Sequence, residues 1–266
     1  MILRRLTKHV KDQNWFAVGL DFVIVVIGVG VALMGQQVLS DRQSRADLRV
    51  AEAGLEGDLF RIYHFAKERL AVSECRVGAY RAVAAQLLSP GEDWVGMPRP
   101  EGDTDNLLKT ALPVLLRSPS RNWGSQNWEA GLARGTFNQM PDERRTLLDG
   151  LFEQTGRAGQ LQSDIFTLQG RIKTLAVSAT ISPSDRLRYY DMLSELDDKS
   201  AILEIIASQI IQQIEQVSTS ISSENMLAVQ LSLSQLSERG AAVYGECYVP
   251  MTFPLLEADA GEEEPE

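Results

Sequence analysis

Thirteen consecutive residues, Phe-Val-Ile-Val-Val-Ile-Gly-Val-Gly-Val-Ala-Leu-Met from Phe22 to Met34, carry no polar side chain. The apolar stretch extends from Trp15 to Gly35, with Asp21 as its one charged residue. About 20 residues at 1.5 Å each cover the roughly 30 Å hydrocarbon layer of a bilayer. Residues 15–35 are therefore expected to form a transmembrane helix, with Trp15 and Phe16 at the level of an interfacial aromatic belt. A cleavable signal peptide has a shorter apolar region followed by a small-x-small site. Here the run is longer, and Gly35-Gln36-Gln37-Val38-Leu39 is a poor site, so a retained anchor is expected.

Orientation follows from the basic residues. Arg4, Arg5, Lys8 and Lys11 precede the span and favour a cytoplasmic N-terminus. Arg42, Arg45 and Arg49 follow it and narrow the contrast. The expected layout is a cytoplasmic basic segment at 1–14, the span at 15–35, a helical extracytoplasmic domain at 36–256 and an acidic tail at 257–266. The tail holds no large apolar side chain, so it cannot offset its ordering entropy and is expected to be disordered. Bacterial inner-membrane residence, single-pass with a periplasmic domain, is the localisation this predicts.

Three residues of the span are candidates for contact with lipid or a partner. Asp21 lies about one turn inside the boundary, where an ionisable group either sits at headgroup depth or meets a partner. Gly28 and Ala32 form a small-xxx-small pair of the kind that lets two helices approach closely, so a homo-oligomer joins a protein partner as an expectation. Nucleic acid is excluded on charge. The chain carries a net charge of -10, and a duplex binder needs a cationic surface to displace counterions.

The chain has two cysteines, Cys75 and Cys247, both after the span. With only two histidines, His9 and His64, and His9 before the span, these residues cannot make a four-ligand zinc site. Two free buried thiols are one reading. With the N-terminus inside, both lie in an oxidising space where a disulfide persists, and this pairing is preferred. On a helical wheel Cys75 falls about 140° from Leu70, off the main apolar stripe, and Cys247 follows the last predicted helix. A bond between them would pin the C-terminal segment across the first long helix.

Past the span, apolar residues recur at steps of three and four. Leu48, Ala51, Leu55, Leu59, Ile62, Ala66, Leu70, Val77, Tyr80, Ala84 and Leu87 predict one long helix over Ser40–Leu88, continuous with the anchor. Residues 90–105 read as a loop, and Asn106 to Arg117 as a short helix that Pro113 kinks. Ser125 caps a second short helix to about Arg134, and Gly135 stops it. Pro141 opens a helix to about Ala179, with Asp142 and Glu143 in its first turn and Leu148, Leu151, Thr155, Ala158, Leu161, Ile165, Leu168, Ile172 and Leu175 on one face. Ser182-Pro183-Ser184-Asp185 is a restart to a helix ending near Ile221. A last helix spans about Glu224–Gly245, and Val243 to Phe253 can be extended. The expected fold is all-α: a transmembrane helix continuous with a long helix, then an antiparallel helical bundle.

Two places resemble a family of uncharacterised single-span bacterial envelope proteins. One is Arg4-Arg5-Leu6-Thr7-Lys8-His9-Val10-Lys11 with Asn14-Trp15 and Leu20-Asp21-Phe22. The other is Trp128-Glu129, then Gly135-Thr136-Phe137-Asn138, then Pro141-Asp142-Glu143-Arg144. The resemblance implies a bacterial inner-membrane protein with a helical external domain. It assigns no activity, cofactor or functional residue.

No nucleophile stands at a recognisable spacing from a base, and the phosphate-loop and zinc-protease signatures are absent from the sequence. No catalytic, cofactor-binding or metal-binding residue is assigned. His64 and Glu68 at i,i+4 read as a surface pair. Tyr189-Tyr190 among Arg186, Arg188 and Asp191 reads as a polar helix face. Trp123, Trp128 and Glu129 either line a pocket or, for the tryptophans, anchor packing. The expected function is a non-enzymatic, membrane-anchored envelope module that binds a protein partner or small ligand. The alternative is a carboxylate-using hydrolase-like enzyme with a site between Trp123 and Asp142, pairing Glu129 with Asp142.

Overall fold

The apolar run and the helical periodicity that follows it merge into one element. In a computed structural model, helix α1 runs from Trp15 to Ala71. The structure describes residues 15–91, 93–97, 113–117, 119–217 and 223–251. The basic segment at 1–14, the acidic tail at 257–266, most of the 90–105 loop and the predicted helical residues 106–112 lie outside the described residues.

The chain divides into two units, Met1–Glu52 and Ala53–Glu266. In the first, the apolar window of α1 is wholly exposed, and this is the one helix among the described residues long and apolar enough to cross a membrane. Gly28 meets nothing at the position of an added Cβ. Asp21 and Ala32 are exposed along with the aliphatic residues around them.

The second unit is the helical domain. After α1 come α2 (Ser73–Leu88), strand β1 (Asp93–Trp94), a 3-10 turn (Val114–Leu116), α3 (Gln126–Ala133), a 3-10 turn (Thr136–Gln139) and α4 (Asp142–Ile172). A 3-10 turn (Lys173–Ala176), strand β2 (Ala179–Thr180), α5 (Pro183–Val217), α6 (Ser223–Tyr244) and a last 3-10 turn (Gly245–Cys247) complete it. The all-α expectation is met, with two corrections.

The first correction is a break in the long helix. Val72 adopts φ -98° and ψ 2°, separating α1 from α2. The buried face of α2 accordingly carries Cys75, Tyr80, Val83 and Leu87, whereas Val77 and Ala84 of the predicted stripe are half-buried. The second is a two-residue antiparallel ladder, with Asp93 opposite Thr180 and Trp94 opposite Ala179. It ends α4 short of Ala179. The Leu175 carbonyl accepts from the Met97 amide and the Trp94 indole, each at 2.8 Å, and so ties the loop down. Gly96 makes the crossing at φ 90°, where a Cβ would lie 3.3 Å from the 176–178 backbone. Of the segment expected to be extended, residues 243–247 complete α6 and the last 3-10 turn, and Tyr248 is extended at φ -77° and ψ 127°.

Caps set the other boundaries. The Ser125 hydroxyl accepts from the Trp128 amide at 3.0 Å and starts α3, and Gly135 at φ 69° follows its end. Pro141 precedes α4, with Asp142 and Glu143 in the first turn. The Ser182 hydroxyl accepts from the Asp185 amide at 3.1 Å, and Pro183 takes the first position of α5. The core lies between α4 and α5, closed by α2 and the last turns of α1. Leu148, Leu151, Ala158, Ile165 and Ile172 of α4 face Leu196, Leu203, Ala207 and Ile210 of α5, all nearly inaccessible.

Candidate functional site

The tryptophan segment is packed solid. Trp128 stacks between Phe137 and Phe152, with centroids 4.8 and 4.9 Å away. Trp123 is buried with its indole N–H donating to Gln162 Oε1 at 3.1 Å and its ring edge-on to Phe65. Gln162 also accepts from the Arg121 amide at 3.0 Å and returns its Nε2 to the Arg121 carbonyl at 2.7 Å. Its primary amide thus substitutes for a strand partner along this loop. Trp123 and Trp128 are packing anchors, and Glu129 points to solvent. Asp142 is also exposed and pairs with Arg145 at 3.0 Å. Both carboxylates of the alternative catalytic pair are thus exposed.

Three further residues differ from expectation. His64 is buried, with Nδ1 at 2.9 Å from the Phe60 carbonyl, and Glu68 takes a bidentate pair with Arg121 at 2.6 Å. Both are drawn in from the surface expected of them, His64 fully and Glu68 in part, where the 119–125 loop packs on α1. Arg186 is also buried. Its guanidinium donates to the carbonyls of Gln86 at 2.9 Å, Ser89 at 3.4 Å and Asp93 at 2.7 Å, holding the end of α2 and β1 to the start of α5.

The polar centre of the domain lies at the break in the long helix. Arg69, Val72, Arg76, Tyr80, Leu115, Arg117, Gln169, Ser200 and Tyr244 line a narrow cleft whose free space is about that of one water. Glu204 of α5 anchors it. Arg76 Nε donates to Glu204 Oε1 at 2.7 Å and Nη2 to Oε2 at 3.0 Å, while the Ser73 hydroxyl donates to Oε2 at 2.7 Å. Asp197 takes another Arg76 donor, and Arg69 lies 3.8 Å from Glu204. Tyr80 Oη and Ser200 Oγ are hydrogen-bonded at 3.2 Å, and the Gln169 amide donates to the Leu115 carbonyl at 3.1 Å.

Burial governs the charges here. It pushes the Arg69 and Arg117 guanidiniums down and the Tyr80 and Tyr244 phenols up. At Arg76 burial also opposes the charge, but the hydrogen bonds and fields of Glu204 and Asp197 outweigh it and raise the pKa. The sequence reading missed this cluster, and its one signal was Arg69 on the inward face of an amphipathic helix.

Next to the cleft, Cys75 and Cys247 are bonded, with Cα atoms 5.0 Å apart. The pairing expected from the sequence is present. Cys75 is buried with Ala71, Val72 and Tyr248 in a small cluster that Tyr244 and Met251 cover. The Val249 amide donates to the Ala71 carbonyl at 2.9 Å, directly at the break.

Among the described residues, no group of three or more His, Cys, Asp or Glu is placed to hold a metal. No protein-family profile, curated protein or solved structure matches this chain. Its fold defines it as a helical domain whose first helix begins in an exposed apolar segment.

Proposed function

We propose that the chain is a single-pass bacterial envelope protein whose helical domain stands on the periplasmic side of the inner membrane and binds a protein partner without catalysing a reaction. One observation carries this reading: the helix that begins in a wholly exposed apolar segment ends at a disulfide-bonded junction. The apolar segment calls for lipid, and a disulfide persists on the oxidising side of a membrane. Arg4, Arg5, Lys8 and Lys11 before the span support that orientation, as does the resemblance to single-span envelope proteins.

A periplasm-active phosphatase fused after Glu266 should be active, and a reporter that works only in the cytoplasm should be silent there. The reverse pattern refutes the orientation. Crosslinking in intact cells, followed by detergent extraction, should recover a defined protein with the wild-type chain. Hydrolysis of an ester or amide by the pure chain that is lost in Glu129→Gln or Asp142→Asn would replace binding with catalysis.

A further inference from the structure

The last helix is fastened to the domain at its C-terminal end. Among the described residues, Tyr244 in the last turn of α6 packs on the cluster of Ala71, Val72, Cys75 and Tyr248. Tyr248 folds back against Gly240, where an added Cβ would come within 2.4 Å of the ring, and the Met251 amide lies 3.3 Å from Ser237 Oγ. The end of α6 and residues 248–251 therefore form one piece. Three things join that piece to the helix break: the Cys75–Cys247 bond, the Val249 to Ala71 hydrogen bond, and the small cluster under Tyr248. Tyr244, on the same piece, is also one wall of the arginine cleft.

The two sulfurs are not equivalent. Cys247 is exposed, whereas Cys75 is 4% accessible. An incoming thiolate therefore reaches Cys247, and Cys75 is the sulfur that departs.

We propose that the Cys75–Cys247 bond is an exchangeable latch, opened by a dithiol protein, whose release frees the end of α6 and uncovers the arginine cleft. A thiolate of the dithiol attacks Cys247 Sγ, a new sulfur–sulfur bond forms, and Cys75 departs with the electron pair as thiolate. The second thiol of the partner then attacks its own sulfur in the mixed disulfide and releases the Cys247 thiolate. In balance, the partner loses two electrons and two protons, becoming a disulfide, and Cys75 and Cys247 gain them as thiols. This inference rests on the strap geometry and not on the side of the membrane the domain occupies.

The test uses the full chain in detergent micelles. Reduced glutathione added under native conditions, followed by alkylation and peptide mapping, should place the glutathione adduct on Cys247 and the alkyl group on Cys75. After complete reduction with dithiothreitol, the far-UV helix signal should persist. Deuterium exchange at the Val249 amide should meanwhile rise about tenfold, the scale of one lost hydrogen bond. The double variant Cys75→Ser with Cys247→Ser should reproduce the fast exchange without reductant. The latch is overturned by an adduct on Cys75, by a bond inert until the protein is denatured, by unchanged exchange at Val249, or by loss of helix throughout the domain on reduction.

Discussion

Gly131 of α3 sits beneath the Phe137 ring, and a Cβ there would come within 2.1 Å of it. Phe137 is 1% exposed and stacked on Trp128, so it has nowhere to go. Gly131→Ala should lower the unfolding free energy by about 2–3 kcal/mol, read from the urea midpoint at unchanged slope. Tyr63 offers a pH test. Burial first, then the hydrogen bond to Glu215 at 2.9 Å and its charge, raise the phenol's pKa. The folded chain thus holds this proton more tightly than the unfolded one. Its contribution is complete below the ordinary tyrosine pKa of about 10 and falls as pH rises, by about 1.4 kcal/mol per unit. Tyr80, Tyr244 and Tyr248 shift in the same direction, while burial lowers Lys67, whose titration works the opposite way. The comparison that isolates Tyr63 is Tyr63→Phe, which should show a shallower loss between about pH 10 and 11 in denaturant titrations. At this scale the sequence was a partial guide. Ser125, Gly135, Pro141 and Ser182 were readable because a cap acts on its own neighbours. Arg69, Gln162 and Arg186 were not, because what makes a buried polar group tolerable is a partner about 40 to 130 positions away, which no local pattern contains.

Among the elements, α4 was the most legible. Its predicted face coincides with the buried one at Leu148, Leu151, Thr155, Ala158, Ile165, Leu168 and Ile172, and only Leu161 gives way to Gln162. A helix packed along its whole length keeps one face inward, and that is the condition under which periodicity reports burial. The first long helix departs from this because it changes neighbours at Val72. The strand pair escaped notice because two residues are too few for an alternating pattern. Arg186 is what holds that corner together, and its removal should be costly. Arg186→Ala leaves the Gln86 and Asp93 carbonyls without their donor and should destabilise the domain by about 2–3 kcal/mol. Arg186→Lys should recover only part of this, since a single ammonium cannot reproduce the fork that spans α2 and β1. Equilibrium unfolding of the three proteins in urea provides the ranking.

The whole chain divides at Glu52 and Ala53, and the two parts differ in what they bury: the first exposes its apolar window, the second encloses a core. Residues 53–266 carry the buried core, the ion cluster and the disulfide. The fragment 53–266 should therefore fold without detergent and partition into the aqueous phase of a detergent phase-separation assay, while the full chain partitions with detergent. A fragment that aggregates or needs detergent would show that the apolar segment belongs to the domain. The layout of apolar helix, helical domain and paired cysteines was legible because each rests on bulk properties: run length, periodicity and count. The position of the polar cleft was not, since it depends on where α5 and α6 meet the helix break. The disulfide also sets a timetable. Its cysteines are 172 residues apart, and a chain made at about 5–20 residues per second exposes the first sulfur roughly 10–30 seconds before the second exists. In that interval Cys75 is a lone thiol on a growing chain, without the Tyr248 cover it has at the end. Any thiol nearby can claim it first. A closed bond between these two residues is consequently a mark that synthesis has passed α6, made only after that helix has arrived.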